Sequence, residues 1–515
     1  MFKSRMWGIG WNPSAALLKG IKQPISRRKT PDTFAAKVRE IGLTSVPGRT
    51  PRLKAVYLLQ IAAEIEHALM AQYLYAAYAI DEQFAEGRDD ALLATIMRWK
   101  RDIRMVARQE MAHLITVQNL LIALGAETYL NRENNFSEHP NEYPFPISFE
   151  PLSVKSLAKY VATESPELNE VFCKNDKKLL IAALSLVKAE SKTKINRVGV
   201  IYLTLYWLFL PNDKAVGPWK HPSSLVPSME HAGLLGMHLQ EGDFVSTREF
   251  EDFGATPEEW GVFELGTKVS KTDPRMRALE AIHWIMAQGE GPVAMEASKG
   301  QSEDSSHFKK FLKIFEEFKS QESRFRGAVR EVPTNPVARD QRRANVPHGF
   351  RNFITEPQAK MWARLFNLRY QMLLIDILLA LSTNRRKNGE LRRKLLDWAV
   401  VGEMEFLRVI GQFLPLLPRH SGSKARAGAP FETIEVPMDG AKRWDLQRVL
   451  IKGSKHLVKE IRKTVGRGRN EHNVLLKIEK FDAERLPIVV ENSKVTWNFD
   501  WKAGRVSHKE RTKGL

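Results

Sequence analysis

The sequence predicts a mainly α protein: a helical bundle with long irregular insertions and a small basic α+β appendage at its C-terminal end. Apolar residues recur at three- and four-residue spacing through several long segments, the pattern of a buried helix face. Clusters of Gly, Pro and polar residues interrupt those segments where a chain must turn. Beyond residue 430 the pattern shifts to shorter apolar runs among many basic residues. At 515 residues and 43% hydrophobic content, the chain can bury a large core.

Residues 1–50 are rich in Gly, Pro and basic side chains and read as a basic N-terminal arm. Pro51 opens a long helix in which Leu58, Ile61, Ile65, Leu69 and Tyr73 form one apolar stripe. A turn at Glu86–Asp89 leads to a second long helix from Asp90 to Leu124, with Gly125 as its C-terminal cap. So short a connection makes the two helices antiparallel neighbours. A short helix is expected around Val154–Val161, and further helices at 177–189 and 195–210. Residues 211–272 read as an irregular insertion with short strands. Helical spacing returns at 274–288, 304–323, 357–384 and 389–413. Ser421–Pro430 has the composition of a linker. The appendage, 431–515, holds three strand-like runs, at Val474–Ile478, Pro487–Val490 and Val495–Phe499. The main helical domain is thus expected to span 51–430.

Net charge is +19, and it is concentrated at the ends. Residues 1–29 carry seven basic and no acidic side chains, and residues 419–515 carry 22 basic against 12 acidic ones. The body between them is close to neutral and need not bind a polyanion. The termini could meet an acidic protein or another polyanion, or simply serve as solvated surface. A lone cysteine, Cys173, excludes an internal disulfide and a Cys-rich zinc site, and reads as structural. No apolar run matches the ~20 residues of a transmembrane span. The apolar stretch Val200–Leu210 stops at Pro211 and suits a buried helix or a homodimer interface. With no secretory leader in view, a cytoplasmic location is expected, with organelle targeting by the basic N-terminus as the alternative.

Chemistry is concentrated in a few Glu and His pairs. Four-helix bundles build di-metal sites from a Glu on each of two helices and a Glu-x-x-His on each of the other two. The i,i+3 spacing puts both side chains on one helix face. Here Glu110-Met-Ala-His113 lies in the second long helix, and Glu66-His67 lies among the apolar residues of the first. Glu280-Ala-Ile-His283, Glu290 and His307 follow. A single such pair suits an ion-paired or exposed face better than a ligand set, but Glu66 beside Glu110 and His113 on adjacent helices is more informative. Carboxylate and imidazole together suit iron, manganese or zinc.

The run Leu59-Gln-Ile-Ala-Ala-Glu-Ile-Glu66-His67-Ala-Leu-Met-Ala-Gln-Tyr73-Leu-Tyr75 resembles the first helix of the iminophenyl-pyruvate dimer synthase family, a ferritin-like family of bisindole pathways such as violacein synthesis. Val106-Ala-Arg-Gln-Glu110-Met-Ala-His113-Leu resembles its second helix. Gln288-Gly-Glu290-Gly, Ser306-His307-Phe308, Leu365–Tyr370 and Ala427–Glu432 resemble later motifs, in order, over roughly 55–432. The resemblance implies a ferritin-like bundle with metal ligands at Glu66, Glu110, His113, Glu290 and His307. It sets Glu290 and His307 above Glu280 and His283, which match no motif. It also exposes a departure: where the family has Gly-Glu-x-Tyr on its third helix, this chain has Gly199-Val200-Ile201-Tyr202. Val200 cannot bind metal, so a site of one ion, of two weaker ones, or of none would follow.

The expected function is therefore a non-haem, metal-dependent oxidoreductase or oxidative coupling enzyme. It would use one or two iron ions, with manganese or zinc as alternatives, on a small amine- or amino-acid-derived substrate of the imine type. The competing reading is a degenerate ferritin-like scaffold or interaction protein without catalysis. The environment of the carboxylates separates the two. Lys or Arg facing Glu66 and Glu110 would mark an ion-pair remnant, whereas carboxylates facing one another and His113 would need a metal or bound protons.

Overall fold

Thr50 starts the first helix. Its side chain accepts from the Leu53 N–H, and Pro51 fills the first turn, where a missing N–H costs nothing. The computed structural model describes residues 46–508 except 47, 85–88, 133–146, 167–170, 172, 191–197, 212–228, 231–232, 261–272, 287, 289–305, 340–351, 438, 467–469, 494–496 and 501–504. Helix α1 runs Pro51–Ala79. After the expected short connection, α2 runs Asp90–Ala123, capped by Asp89. Gly125 ends it at φ +60°, with its N–H on Ile122 O and that of Ala126 on Leu121 O, the paired bonds of a Schellman cap. A single apolar stripe understates α1, which is buried on nearly every side, including Glu64, Glu66, His67 and Gln72.

Helix α3 (Val154–Thr163) begins with a Ser153/Ser156 capping box. Then come α4 (Lys174–Glu190) and α5 (Gly199–Phe209), the latter the expected buried apolar helix. Within 211–272 the described residues form a 3-10 turn at Glu241–Asp243 and the short helices α6 (Thr247–Phe253) and α7 (Pro257–Trp260). The strands expected there are not found among the described residues. Helix α8 (Pro274–Ile285) is followed by α9 (His307–Ser320), whose first turn is capped by Ser306, and by the single-turn α10 (Glu322–Phe325). The long α11 (Pro357–Ser382) leads to α12 (Arg385–Leu396), a π turn at Asp397–Glu403 and α13 (Met404–Phe413).

Helices α1, α2, α8 and α5 close a ring, each packing on the next, and make a four-helix bundle. On its flank, α9 packs on α2, and α3 packs on α9. Helix α11 is long and apolar enough to cross a membrane by length and composition. Its most apolar window is 89% buried inside the protein, and it carries Arg369 and Asp376 in ion pairs, the marks of a core helix.

Two expectations for the C-terminal region are corrected. The supposed linker is an exposed turn only in its first half, because Ala427, Gly428, Ala429 and Pro430 are buried. Gly428 is small for packing rather than for flexibility, since a Cβ there would lie 2.5 Å from the Tyr75 hydroxyl. The strand-like runs at 474–478 and 487–490 lie within one helix. Helix α14 (Gly440–Arg462) packs on α11, and α15 (Asn470–Asn492) packs on α14. Leu475, Ile478, Asp482, Arg485 and Val489 are the buried residues of α15, at three- and four-residue spacing. That helical period overrides the local β-branched run. The third run ends in a real hairpin: β1 (Trp497–Asp500) pairs antiparallel with β2 (Arg505–His508), Trp497 opposite His508.

Candidate metal centre

Helix α1 brings Glu66 to the middle of the bundle, and α2 brings Glu110 and His113 from the facing side. His113 Nδ1 lies 3.1 Å from Glu110 Oε2 and 3.5 Å from Glu66 Oε2. Across Glu110 a second group mirrors the first: His307 Nδ1 lies 3.0 Å from Glu110 Oε1 and 3.4 Å from Glu164 Oε2. All five side chains are fully buried. The donors form two triads, Glu66/Glu110/His113 and Glu110/Glu164/His307, each with donor atoms within 4.8 Å of one another. Glu110 is common to both and turns one oxygen to each.

The five ligands expected from the sequence fall as follows. Glu66, Glu110, His113 and His307 converge here. Glu290 lies outside the described residues. Glu280 and His283 are half-buried on α8 and join neither triad. His67 turns away from the centre, with Nε2 2.5 Å from the Tyr370 hydroxyl on α11. Val200 falls in α5, but its side chain lies outside what is described. Glu164, which closes α3, supplies a carboxylate that sequence reasoning missed. It has no His at i+3 to flag it, and stands at a helix end just before Ser165-Pro166.

Among the described residues no Lys or Arg forms an ion pair with Glu66, Glu110 or Glu164; their ionic contacts are with His113 and His307. Three carboxylates thus share a dry pocket with two imidazoles. Burial pushes Glu66 up to about 7, helped by repulsion from Glu110 and opposed by His113. Burial and the Glu110 charge raise Glu164 as well. Burial alone would raise Glu110, but His307 and His113 hold it below the usual carboxylate range. His307 moves up: burial opposes its charge, and the Glu110 and Glu164 carboxylates outweigh that. Without a cation, the centre offsets its negative charge by keeping protons.

The donor set fits a pair of metal ions. Glu66 Oε2, Glu110 Oε1, Glu164 Oε2 and His307 Nδ1 are buried and make no well-aligned hydrogen bond beyond the close histidine–carboxylate contacts above, and all four belong to the triads. An unsatisfied buried acceptor costs about 1–3 kcal/mol, more if charged, and a bound cation removes that cost for all of them together. Among the described residues, the carboxylates face one another and the histidines rather than a Lys or Arg ion-pair partner.

A family model described as ferritin-like matches residues 59–217, which include Glu66, Glu110, His113 and Glu164. Residues 59–217 thus make a ferritin-like domain. The resemblance to the bisindole-pathway family also holds, at low identity. The chain is similar to a dichlorochromopyrrolate synthase of Lentzea aerocolonigenes, 25% identical over 428 residues, covering 76% of this chain and 37% of the relative. It is also similar to a 2-imino-3-(indol-3-yl)propanoate dimerase of Chromobacterium violaceum, 32% identical over 127 residues, covering 21% of this chain and 13% of the relative. The chain thus spans well under half the length of these curated relatives. No solved structure matches it significantly.

Proposed function

We propose that this protein is a metal-dependent oxidative coupling enzyme acting on a small, aromatic, amino-acid-derived imine. One observation carries the reading: two fully buried carboxylate–histidine triads share Glu110, which turns one oxygen to each. Glu66 and His113 would hold one ion and Glu164 and His307 the other, with Glu110 between them. Glu290, the remaining expected ligand, follows Gln288 closely in sequence and is a candidate to complete the set.

The substrate class comes from the relatives, one of which is named for dimerising an indole-bearing 2-imino acid. Joining two such molecules through carbon removes two electrons and two protons, which dioxygen or peroxide can accept. A bound pair of iron ions would supply the one-electron chemistry for that transfer. The chain's own residues hold the donors in register and exclude water from them.

The test begins with metal analysis of the full chain purified without chelator, beside Glu110→Ala/His113→Ala. Iron near two per chain, lost in the variant, is expected. The loaded protein, given 2-imino acids generated in situ from aromatic amino acids, should form a coupled dimer, read by mass spectrometry. Metal without a dimer would remove the substrate assignment. No metal, even after anaerobic ferrous iron, would sink the enzyme reading and leave a scaffold.

A further inference from the structure

Each inner donor has two ends, and the structure shows what holds the outer one. The outer oxygen of Glu66, Oε1, accepts from the Tyr202 hydroxyl on α5. The outer oxygen of Glu164, Oε1, accepts from the Tyr73 hydroxyl on α1. His113 Nε2 lies 2.9 Å from the side-chain oxygen of Gln288, in the turn that ends α8. His307 Nε2 lies 3.2 Å from the side-chain oxygen of Gln109 on α2. Each half of the centre therefore has one phenol on its terminal carboxylate and one amide on its imidazole. All four outer partners are neutral.

We propose that Gln109, Gln288, Tyr73 and Tyr202 are positioning residues that fix which end of each donor a metal can reach. This rests on the metal-centre reading above. An amide oxygen can only accept, so it holds the Nε2–H of each imidazole outward and turns Nδ1 toward the carboxylates, where a metal would bind. Loss of the amide leaves that Nε2–H without its acceptor and the ring free to turn, so that Nδ1 is no longer held inward. A phenol on the outer oxygen holds each terminal carboxylate to one inward oxygen. The two carboxylates and one imidazole of each triad would then hold an ion together.

The braces cross between the halves. Tyr73 shares α1 with Glu66 yet steadies Glu164 in the other half. Gln109 precedes Glu110 on α2 and reaches His307 on α9. A shift of α1 or α2 therefore moves an inner donor and an outer brace together.

The experiment is an anaerobic titration of the full chain with Co(II), followed by its visible absorption, for wild type, Gln109→Leu, Gln288→Leu and the conservative Gln109→Glu and Gln288→Glu. Wild type should take up two ions. Each Leu variant should keep one at wild-type affinity and bind the other 10- to 100-fold more weakly, the usual effect of losing a partner behind a ligand. The Glu variants, which also accept from Nε2–H, should restore both. Two wild-type sites in both Leu variants would overturn the proposal alone. So would equal failure of the Leu and Glu variants with a fall in melting temperature, which marks a merely structural role. A wild-type chain that binds no ion would overturn the metal-centre reading itself, and this proposal with it.

Discussion

Glu110 belongs to both triads, and its neighbours belong to one each. That asymmetry makes a graded prediction. Glu110→Gln keeps the shape and removes the shared charge, so both ions should be lost. Glu164→Gln should cost only one. Metal counts after anaerobic loading check this, and equal losses in the two variants would mean the triads are not separate half-sites. How far the centre was legible also varies residue by residue. Glu110 and His113 stood out because a helix sets two side chains on one face at i,i+3. Glu66 stood out because a carboxylate among apolar residues needs a partner. His307 could be reached only through resemblance. Glu164 and the outer partners left no local mark, because their bonds join positions far apart: Tyr73 and Glu164 are 91 residues apart, and His113 and Gln288 are 175.

At the scale of elements, short segments are held by what they press against. The buried segment after the exposed turn runs along α11, where the Asn367 and Gln371 side-chain oxygens accept from the Glu432 and Ile434 N–H groups. Gly428→Ala should push its backbone off Tyr75 and cost about 1–3 kcal/mol, the usual range for overpacking, read from urea unfolding. A second contact ties the insertion to the domain. Glu259 on α7 accepts from both Arg385 and Arg392 of α12. Burial alone would raise its pKa, but the two guanidiniums hold it below the model-peptide value of 4.5. A lowered folded-state value means the contact stabilises above pH ~4.5 and is lost as pH falls through the folded value. The melting-temperature gap between wild type and Glu259→Gln should therefore be wide at pH 7 and narrow at pH 3. A gap that stays constant would show that this carboxylate does not titrate in that range. The sequence showed most helices because their periods are long and regular. It misread 474–478 and 487–490 because a short apolar run fits strand and helix alike until its partners are known.

Across the whole molecule, α14 and α15 are joined to α11 by a buried ionic network. Arg369 bonds Glu403, Asp482 and Ser454, while Arg485 pairs with Asp376, Glu403 and Asp482. Burial, with repulsion from Glu403 and Asp482, holds the Asp376 carboxyl well above the usual range, against the pull of Arg485. Arg485→Met would strand acidic groups in a dry interior, a change that typically costs 3–5 kcal/mol. A lower urea midpoint and faster proteolysis within 440–492 are expected. Unchanged values would mean that apolar packing alone fastens these helices. The basic surplus of the sequence after residue 419 is thus partly internal, since Arg485 and Arg443 are buried.

The two halves of the centre also differ in how much chain must come together to make them. Glu66, Glu110 and His113 belong to one hairpin of neighbouring helices, formed by local contacts. The other half waits for His307, which meets Gln109 across 198 residues of chain. Local contacts form early in folding and distant ones late. During synthesis the first triad could capture an ion while the second is still unmade, so the order of assembly is written into the spacing of the ligands along the chain.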